Sequence, residues 1–251
     1  MERIPTGRVL ERLEALYAKR EIEAAERHLL YWLAEAKAGG DKTGEYQIHN
    51  ELMGHYRKNG RRDEAIEHAE AALALLDELG ISDSVSGGIA RLNAATVYKA
   101  FSMPEQSLVL FEKAKKILEG LLPFDDPQLA GLYNNMGLCL VDLHRFSEAR
   151  TLYEKAIAIM QKQADGKPDV AITYLNLANL VEAEEGLEEG DAEISRLLDL
   201  AWKNLTDPEN KQDGYLAFVL EKCAPTFGHY GRFADAADLS KKSGELYGAW
   251  T

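Results

Sequence analysis

The chain has 251 residues, 46% hydrophobic and 28% charged, which suits one large or two small folded domains and excludes disorder throughout. Its 42 acidic against 29 basic residues leave a formal charge of -13, a field that opposes unspecific binding to nucleic-acid phosphates or anionic lipid. Two cysteines, Cys139 and Cys223, cannot build a disulfide framework or a cysteine zinc site, and in apolar runs they read as packing residues in a reducing compartment.

In chain order, the amino terminus lacks an apolar core of signal-peptide length, and no later stretch approaches a membrane span, so a cytoplasmic protein without a membrane partner is expected. Residues 8–38 read as a helix pair with Leu13, Leu16, Ala25, Leu29 and Trp32 as its apolar skeleton, a divergent starting copy within residues 1–40. Residues 45–250 then read as five further helix pairs. The segments from Leu52 (LMGHYRKNGRRDEAIEHAEAALALL), Leu92 (LNAATVYKAFSMPEQSLVLFEKAKKIL) and Asn134 (NNMGLCLVDLHRFSEARTLYEKAIAIM) each show a helical apolar pattern that breaks midway and resumes.

A small residue near the start of the second helix fixes the period. Ala65, Ser107 and Ala149 are 42 apart, and Ile194 to Ala236 is the same step. A second register agrees, in Ala72, Ala114 and Ala156 and again from Ala201 to Ser243. Small side chains belong where antiparallel helices meet, because larger ones push the axes beyond about 8–10 Å. Turn chemistry marks the connections: GGDKTG from Gly39, GISDSVSGG from Gly80, PFDDPQ from Pro123, DGKPD from Asp165 and TDPENKQDG from Thr206. The fourth copy is longer, with 16 residues from Ala178 to Ile194 where the third has 12 from Gly137 to Ala149. The surplus, about one helical turn, lengthens the first helix or its turn, and its acidic run over 182–193 reads as a solvated extension rather than a site for a basic partner. At the end, Phe227, Phe233 and Ala236 rebuild the hairpin. Leu246, Tyr247 and Trp250 then leave an apolar face to be covered by folding back or by a second copy, which allows a homo-oligomer through the C-terminal end.

These copies resemble the tetratricopeptide repeat. The 42-residue step with its acidic, proline-containing connection resembles the longer subtype found in kinesin light chains. The segments that carry the resemblance most strongly are DGKPDVAITYLNLANL from Asp165 to Leu180, then Tyr133-Asn134-Asn135-Met136-Gly137 with His144-Arg145-Phe146-Ser147-Glu148-Ala149. The resemblance implies an all-α protein, an α-α superhelix forming a right-handed solenoid of about six antiparallel helix pairs in a single domain over 1–251. It also implies first helices that line a concave groove, and a non-enzymatic role in binding a protein or peptide. Physics supports the form separately: one helix pair cannot bury its apolar face, so neighbours stack, and the resulting groove suits an extended peptide or a partner helix.

The repeat phase predicts the groove residues. One first-helix position holds Asn93, Asn135 and Asn176, with Asn50, Asn134 and Asn179 beside it. Asparagine is a mediocre helix former, and its carboxamide matches the donor and acceptor of a peptide unit, so a ladder of it is expected to hold a ligand backbone. Bonding of these amides to neighbouring helices is the alternative. Arg57, Lys58 and Lys99 are expected to point inward at one end, where an acidic side chain or terminal carboxylate would be received. Some members of the family clamp a carboxyl terminus with asparagines and several basic residues over three copies. Here Ile172 and Asn176 follow Asn135 in the groove, neither of them basic, so that clamp is not expected.

No catalytic motif stands out. GGDKTG has Asp41 where a phosphate-binding loop needs glycine, and it reads as a turn. The six histidines show no paired metal spacing and are expected mostly on polar faces or in turns. Asn204-Leu205-Thr206 is a formal glycosylation sequon, irrelevant without secretion, and Tyr133, Phe146, Tyr153, Tyr174 and Trp202 read as repeat packing. The expected function is a scaffold that holds a peptide or helix without catalysis, cofactor or metal. A peptide-responsive regulatory receptor and a purely architectural homo-oligomer are the alternatives.

Overall fold

A computed structural model describes residues 3–248. The described residues form twelve α-helices and no strand, in six consecutive pairs. They group into two compact units, which fall within 1–123 and 124–251.

The first unit contains α1 (Thr6–Ala18), α2 (Ile22–Gly39), α3 (Lys42–Lys58), α4 (Arg62–Glu78), α5 (Val85–Ala100) and α6 (Pro104–Leu121). Leu13, Leu16, Ala25 and Leu29 of the divergent first pair are buried, while Trp32 is half-buried and Leu33 takes the core position beside it. The first half of GGDKTG is the turn expected. Gly40 ends α2 at φ 65°, a left-handed conformation that favours glycine. Asp41 then caps α3: its carboxylate accepts the N–H of Gly44 at 3.0 Å and that of Ile4 at 2.9 Å. Ser84 caps α5 in the same way through Gly87.

The second unit contains α7 (Pro127–Asp142), α8 (Phe146–Met160), α9 (Lys167–Glu185), α10 (Leu187–Leu205), α11 (Gly214–His229) and α12 (Phe233–Gly248). Asp126 and Asp213 cap α7 and α11. The surplus turn of the fourth copy is divided between its two helices, each 19 residues long against 16 and 15 for α7 and α8. Their joint contracts to Gly186 alone, at φ 88°, and Gly190 packs so tightly that a Cβ there would meet Val181 at 2.8 Å. At the C-terminal end Leu246 and Tyr247 are half-buried and the Tyr247 hydroxyl donates to Glu221 at 3.2 Å; Trp250 lies outside the described residues.

Both small-residue registers lie where helices pack. Ala65, Ser107 and Ala149 have no exposed surface, nor have Ala72, Ala114, Ala156 and Ala201, and Ser243 is buried; only Ala236, near the chain end, is half-buried. The two serines satisfy their hydroxyls by donating to backbone carbonyls, Ser107 to Ala95 at 2.7 Å and Ser243 to Ala217 at 2.8 Å. Gly137 extends the rule to a first helix: a Cβ there would lie 2.5 Å from the ring of buried Tyr153. First helices also adjoin one another, α3 with α5 in the first unit, and α7 and α11 with α9 in the second.

Candidate functional site

Every predicted groove residue lies on a first helix: Asn50, Arg57 and Lys58 on α3, Asn93 and Lys99 on α5, Asn134 and Asn135 on α7, Asn176 and Asn179 on α9. Five of the six amides occupy two repeat positions, and Asn179 stands three residues beyond Asn176. Asn134 follows Asn50 by two steps of 42, and Asn135 follows Asn93 by one. Asn176 matches Asn135, since each stands eight residues after a proline at the start of its helix, Pro127 or Pro168.

In the second unit these amides bond to the protein. The Asn134 Nδ2 donates to Thr173 Oγ1 at 2.8 Å, and its Oδ1 accepts from Asn176 Nδ2 at 3.2 Å. Thr173 passes its own proton to the Asp169 carbonyl, and Asn179 Oδ1 accepts from the Tyr230 hydroxyl at 2.9 Å. Glu182 Oε2, 2.8 Å from the same hydroxyl, shares that single proton with Asn179 and also meets His229 Nε2, so one carboxylate of the acidic run fastens α9 to α11. Another, Glu184, pairs with Arg150 of α8. Asn135 Nδ2 turns back to the Gly131 carbonyl of its own helix. Exposed aromatics lie on α11, Tyr215 and Phe218. The Tyr215 hydroxyl donates to Asp169 at 2.7 Å, and burial raises that carboxyl above its ordinary range. A cavity of about 260 Å³ opens there, lined by Lys167, Asp169, Asp213 and Tyr215 among others, and none of the predicted groove residues lines it.

In the first unit the amides at the same two positions do not bond to each other. Asn50 Nδ2 donates to the Tyr46 carbonyl at 3.2 Å, but its Oδ1 is buried without a partner. Asn93 is half-buried and its amide is unpaired among the described residues. Arg57, two turns beyond Asn50, is half-buried; burial lowers its pKa, and no carboxylate meets it among the described residues. Lys58 is exposed and lies 5.6 Å from the Tyr17 ring centroid, on the side of α3 that faces α1. Glu51 is there too, its carboxyl raised by burial, with Lys58 opposing and Glu14 adding to the shift. Lys99 is half-buried on α5.

The histidines correct the sequence reading. His49, His55 and His68 are buried, not on polar faces or in turns. Nδ1 of His49 and Nδ1 of His68 are 2.7 Å apart, so one proton is shared between two neutral rings that join α3 to α4. Tyr56 stacks on His68, and His55 Nδ1 meets the Tyr17 hydroxyl at 2.9 Å. Burial first, then the His68 and Lys37 charges, lower the pKa of His49 to about 4. Burial lowers those of His55 and His68 as well. Among the described residues, no group of three or more His, Cys, Asp or Glu has the arrangement to hold a metal ion, and no helix is long and apolar enough to cross a membrane.

Comparison with known proteins agrees with the repeat geometry. Residues 128–189, from α7 into α10, match the family model described as tetratricopeptide repeat. The chain is 29% identical over 105 residues to Protein kinesin light chain-related 1 of Arabidopsis thaliana, a match that covers 41% of this chain and 17% of that protein. It is 25% identical over 168 residues to tetratricopeptide repeat protein 19, mitochondrial, of Mus musculus, covering 61% of this chain and 44% of the relative. It thus spans less than half the length of either. Among solved structures, BtubC (BKLC) from P. vanneervenii superposes with a TM-score of 0.66 at 22% identity, covering 78% of this chain and 79% of that one. A putative kinesin light chain from Podosopora anserina with nearly identical repeats gives 0.57 at 19%, covering 80% and 94%. A Rap protein complexed with competence and sporulation factor gives 0.54 at 15%, covering 94% and 72%. These structural likenesses show the fold. With six helix pairs, a 42-residue step and asparagines at matched first-helix positions, the chain has the tetratricopeptide-repeat fold; residues 128–189 match that family's model, and the similar proteins include kinesin light chain relatives.

Proposed function

We propose that this protein holds an extended segment of a protein partner along its first helices, with inner-face amides on the partner's backbone. Repeats of this kind are generally non-enzymatic scaffolds for protein interaction. The observation that carries the finer reading is the state of Asn50 and Asn93. The half-buried amide of Asn93 is idle and can meet a peptide unit as it stands, whereas the Asn50 Oδ1, buried from solvent, can do so only after its side chain turns. A structure of the same fold has been solved with a bound factor, which is consistent with this reading. Cys139 and Cys223 are both buried and neither is joined in a disulfide, which suits the reducing cytoplasm, where we place the protein.

The test is selection of random dodecapeptides displayed on phage against the whole chain, followed by affinity measurement on a variant with Asn50, Asn93, Asn135 and Asn176 all changed to alanine. Circular dichroism first establishes equal helicity. Loss of binding by at least about tenfold supports the proposal; unchanged affinity assigns binding to another surface, and failure to select any peptide contradicts it.

A further inference from the structure

We infer that the first unit carries an acid-released catch: three buried imidazoles, those of His49, His55 and His68, tie α1, α3 and α4 together while neutral, and their protonation opens that unit while the second stays closed. The catch is independent of the proposed function and concerns how the fold answers a change of pH.

Ring contacts run through the first four helices. His49 on α3 and His68 on α4 are both buried and face each other through their Nδ1 atoms at 2.7 Å. Tyr56 on α3 lies flat on the His68 ring, 5.4 Å between centroids, and its hydroxyl donates to Glu26 of α2 at 2.9 Å. His55, also buried, meets the Tyr17 hydroxyl of α1 at 2.9 Å and stacks on that phenol. The gap between His49 and His68 holds one proton. A second would set two N–H groups against each other at a distance that suits one hydrogen bond. A proton placed instead on Nε2 of His49 meets Glu45 Oε1 at 4.0 Å, beyond hydrogen-bond reach, and leaves a charge in the core.

The charges around these rings do not rescue the cations. Burial disfavours the charged form of all three more than any neighbour does. Lys37 of α2 opposes a charge on His49 and His68, and Lys42 adds to this at His49; Glu45 beside His49, and Glu64 and Glu67 beside His68, pull the other way without prevailing. At His55 Glu26 of α2 favours the charge, and Arg61 and Lys58 oppose it. From α5, Arg91 turns to the Ser82 and Gly87 carbonyls and the Tyr98 hydroxyl to Glu70. The unfolded chain therefore takes up these protons first, and stability is lost as pH falls below 6.5. Glu51, beside Tyr17, acts in the opposite sense because burial raises its carboxyl, but it is one group against three. Carboxyls held below their ordinary range, such as Glu26 in this unit and Asp213 in the other, stay ionised above about pH 5, so the interval from pH 7 to 5 belongs to the histidines.

The second unit is built otherwise. Its two histidines, His144 and His229, are exposed, and His229 Nε2 lies 2.9 Å from Glu182, a contact that becomes an ion pair on protonation. Acid strengthens this contact and breaks those of the first unit. His28, the remaining histidine of the first unit, is half-buried with Nε2 at 3.0 Å from the Val9 carbonyl, a bond that a protonated ring keeps. In a repeat fold each helix pair is held by its neighbours, so one stretch can open while another holds.

The experiment is hydrogen exchange of the whole chain at pH 7.0 and 5.0, read by mass spectrometry with each rate divided by the intrinsic chemical rate at that pH. Protection in α3 and α4 is expected to fall at least about tenfold and that in α9 and α10 less than about threefold, and His49→Phe with His68→Leu is expected to remove most of the fall. Titration of the wild-type imidazoles by NMR, which needs no variant to fold, is expected to find His49 neutral at pH 5.5. Equal loss in both units, unchanged protection in α3 and α4, a fall that the double variant retains, or a charged His49 in the folded chain at pH 5.5 would overturn the inference.

Discussion

Acidification tests the buried histidine pair. His49 and His68 are 4% and 7% exposed, and their Nδ1 atoms share one proton across 2.7 Å, with Glu45 on α3 and Lys37 on α2 nearby. The pKa of His49 falls from 6.5 to about 4 in the folded chain, while the unfolded chain keeps the ordinary value. Because the folded value is the lower one, the unfolded chain binds the proton first, and stability present above pH 6.5 drains away as pH falls towards 4. From His49 alone the loss is about 2 kcal/mol by pH 5 and reaches about 3 kcal/mol below pH 4. The assay is urea unfolding followed by circular dichroism at pH 7.5, 6.5, 5.5 and 5.0, for the wild type and for His49→Phe with His68→Leu. The wild-type midpoint should fall steadily below pH 6.5, and the double variant should lose most of that dependence. Parallel pH curves for the two proteins would refute the buried, unprotonated pair.

Other substitutions separate packing from binding. Gly137→Ala drives a methyl into the Tyr153 ring and should cost about 1–2 kcal/mol, seen as a lower urea midpoint. Ser107→Ala should change stability by less than about 1 kcal/mol, since the Ala95 carbonyl remains in its helix, whereas Ser107→Leu overpacks a position with no exposed surface and should cost about 3 kcal/mol. Asn134→Ala should lower thermal stability by about 1 kcal/mol because it leaves Asn176 without its acceptor, while Asn93→Ala should leave stability nearly unchanged, as its amide bonds to nothing described.

The helix pairs were legible because two small-residue registers and one apolar skeleton recur at 42 residues, a signal that survives divergence as packing does not tolerate its loss. Positions such as Ala65, Ser107 and Ala149 carry no exposed surface for that reason. The extra turn between Ala178 and Ile194 was legible as a surplus. Its division between α9 and α10 depended on Gly186 serving as the whole joint, a backbone choice that composition does not reveal. The asparagine positions were legible, but not the fate of each amide. Asn134 and Asn176 bond because Thr173 on α9 takes the second donor, while the first unit presents Ala90 at that place. The histidines were misread because a polar residue was assigned to a polar face. His49 and His68 stand 19 residues apart on different helices, and each becomes tolerable in the core only through the other. An i to i+19 pair across a helical hairpin was the available signal.

The most direct measurement of the central claim is hydrogen exchange of the whole chain with and without a saturating selected dodecapeptide. Binding along the first helices predicts slower exchange in α3 and α5, with α4 and α6 little changed. Slowing confined to the second helices α2, α4, α6, α8, α10 and α12 would contradict it.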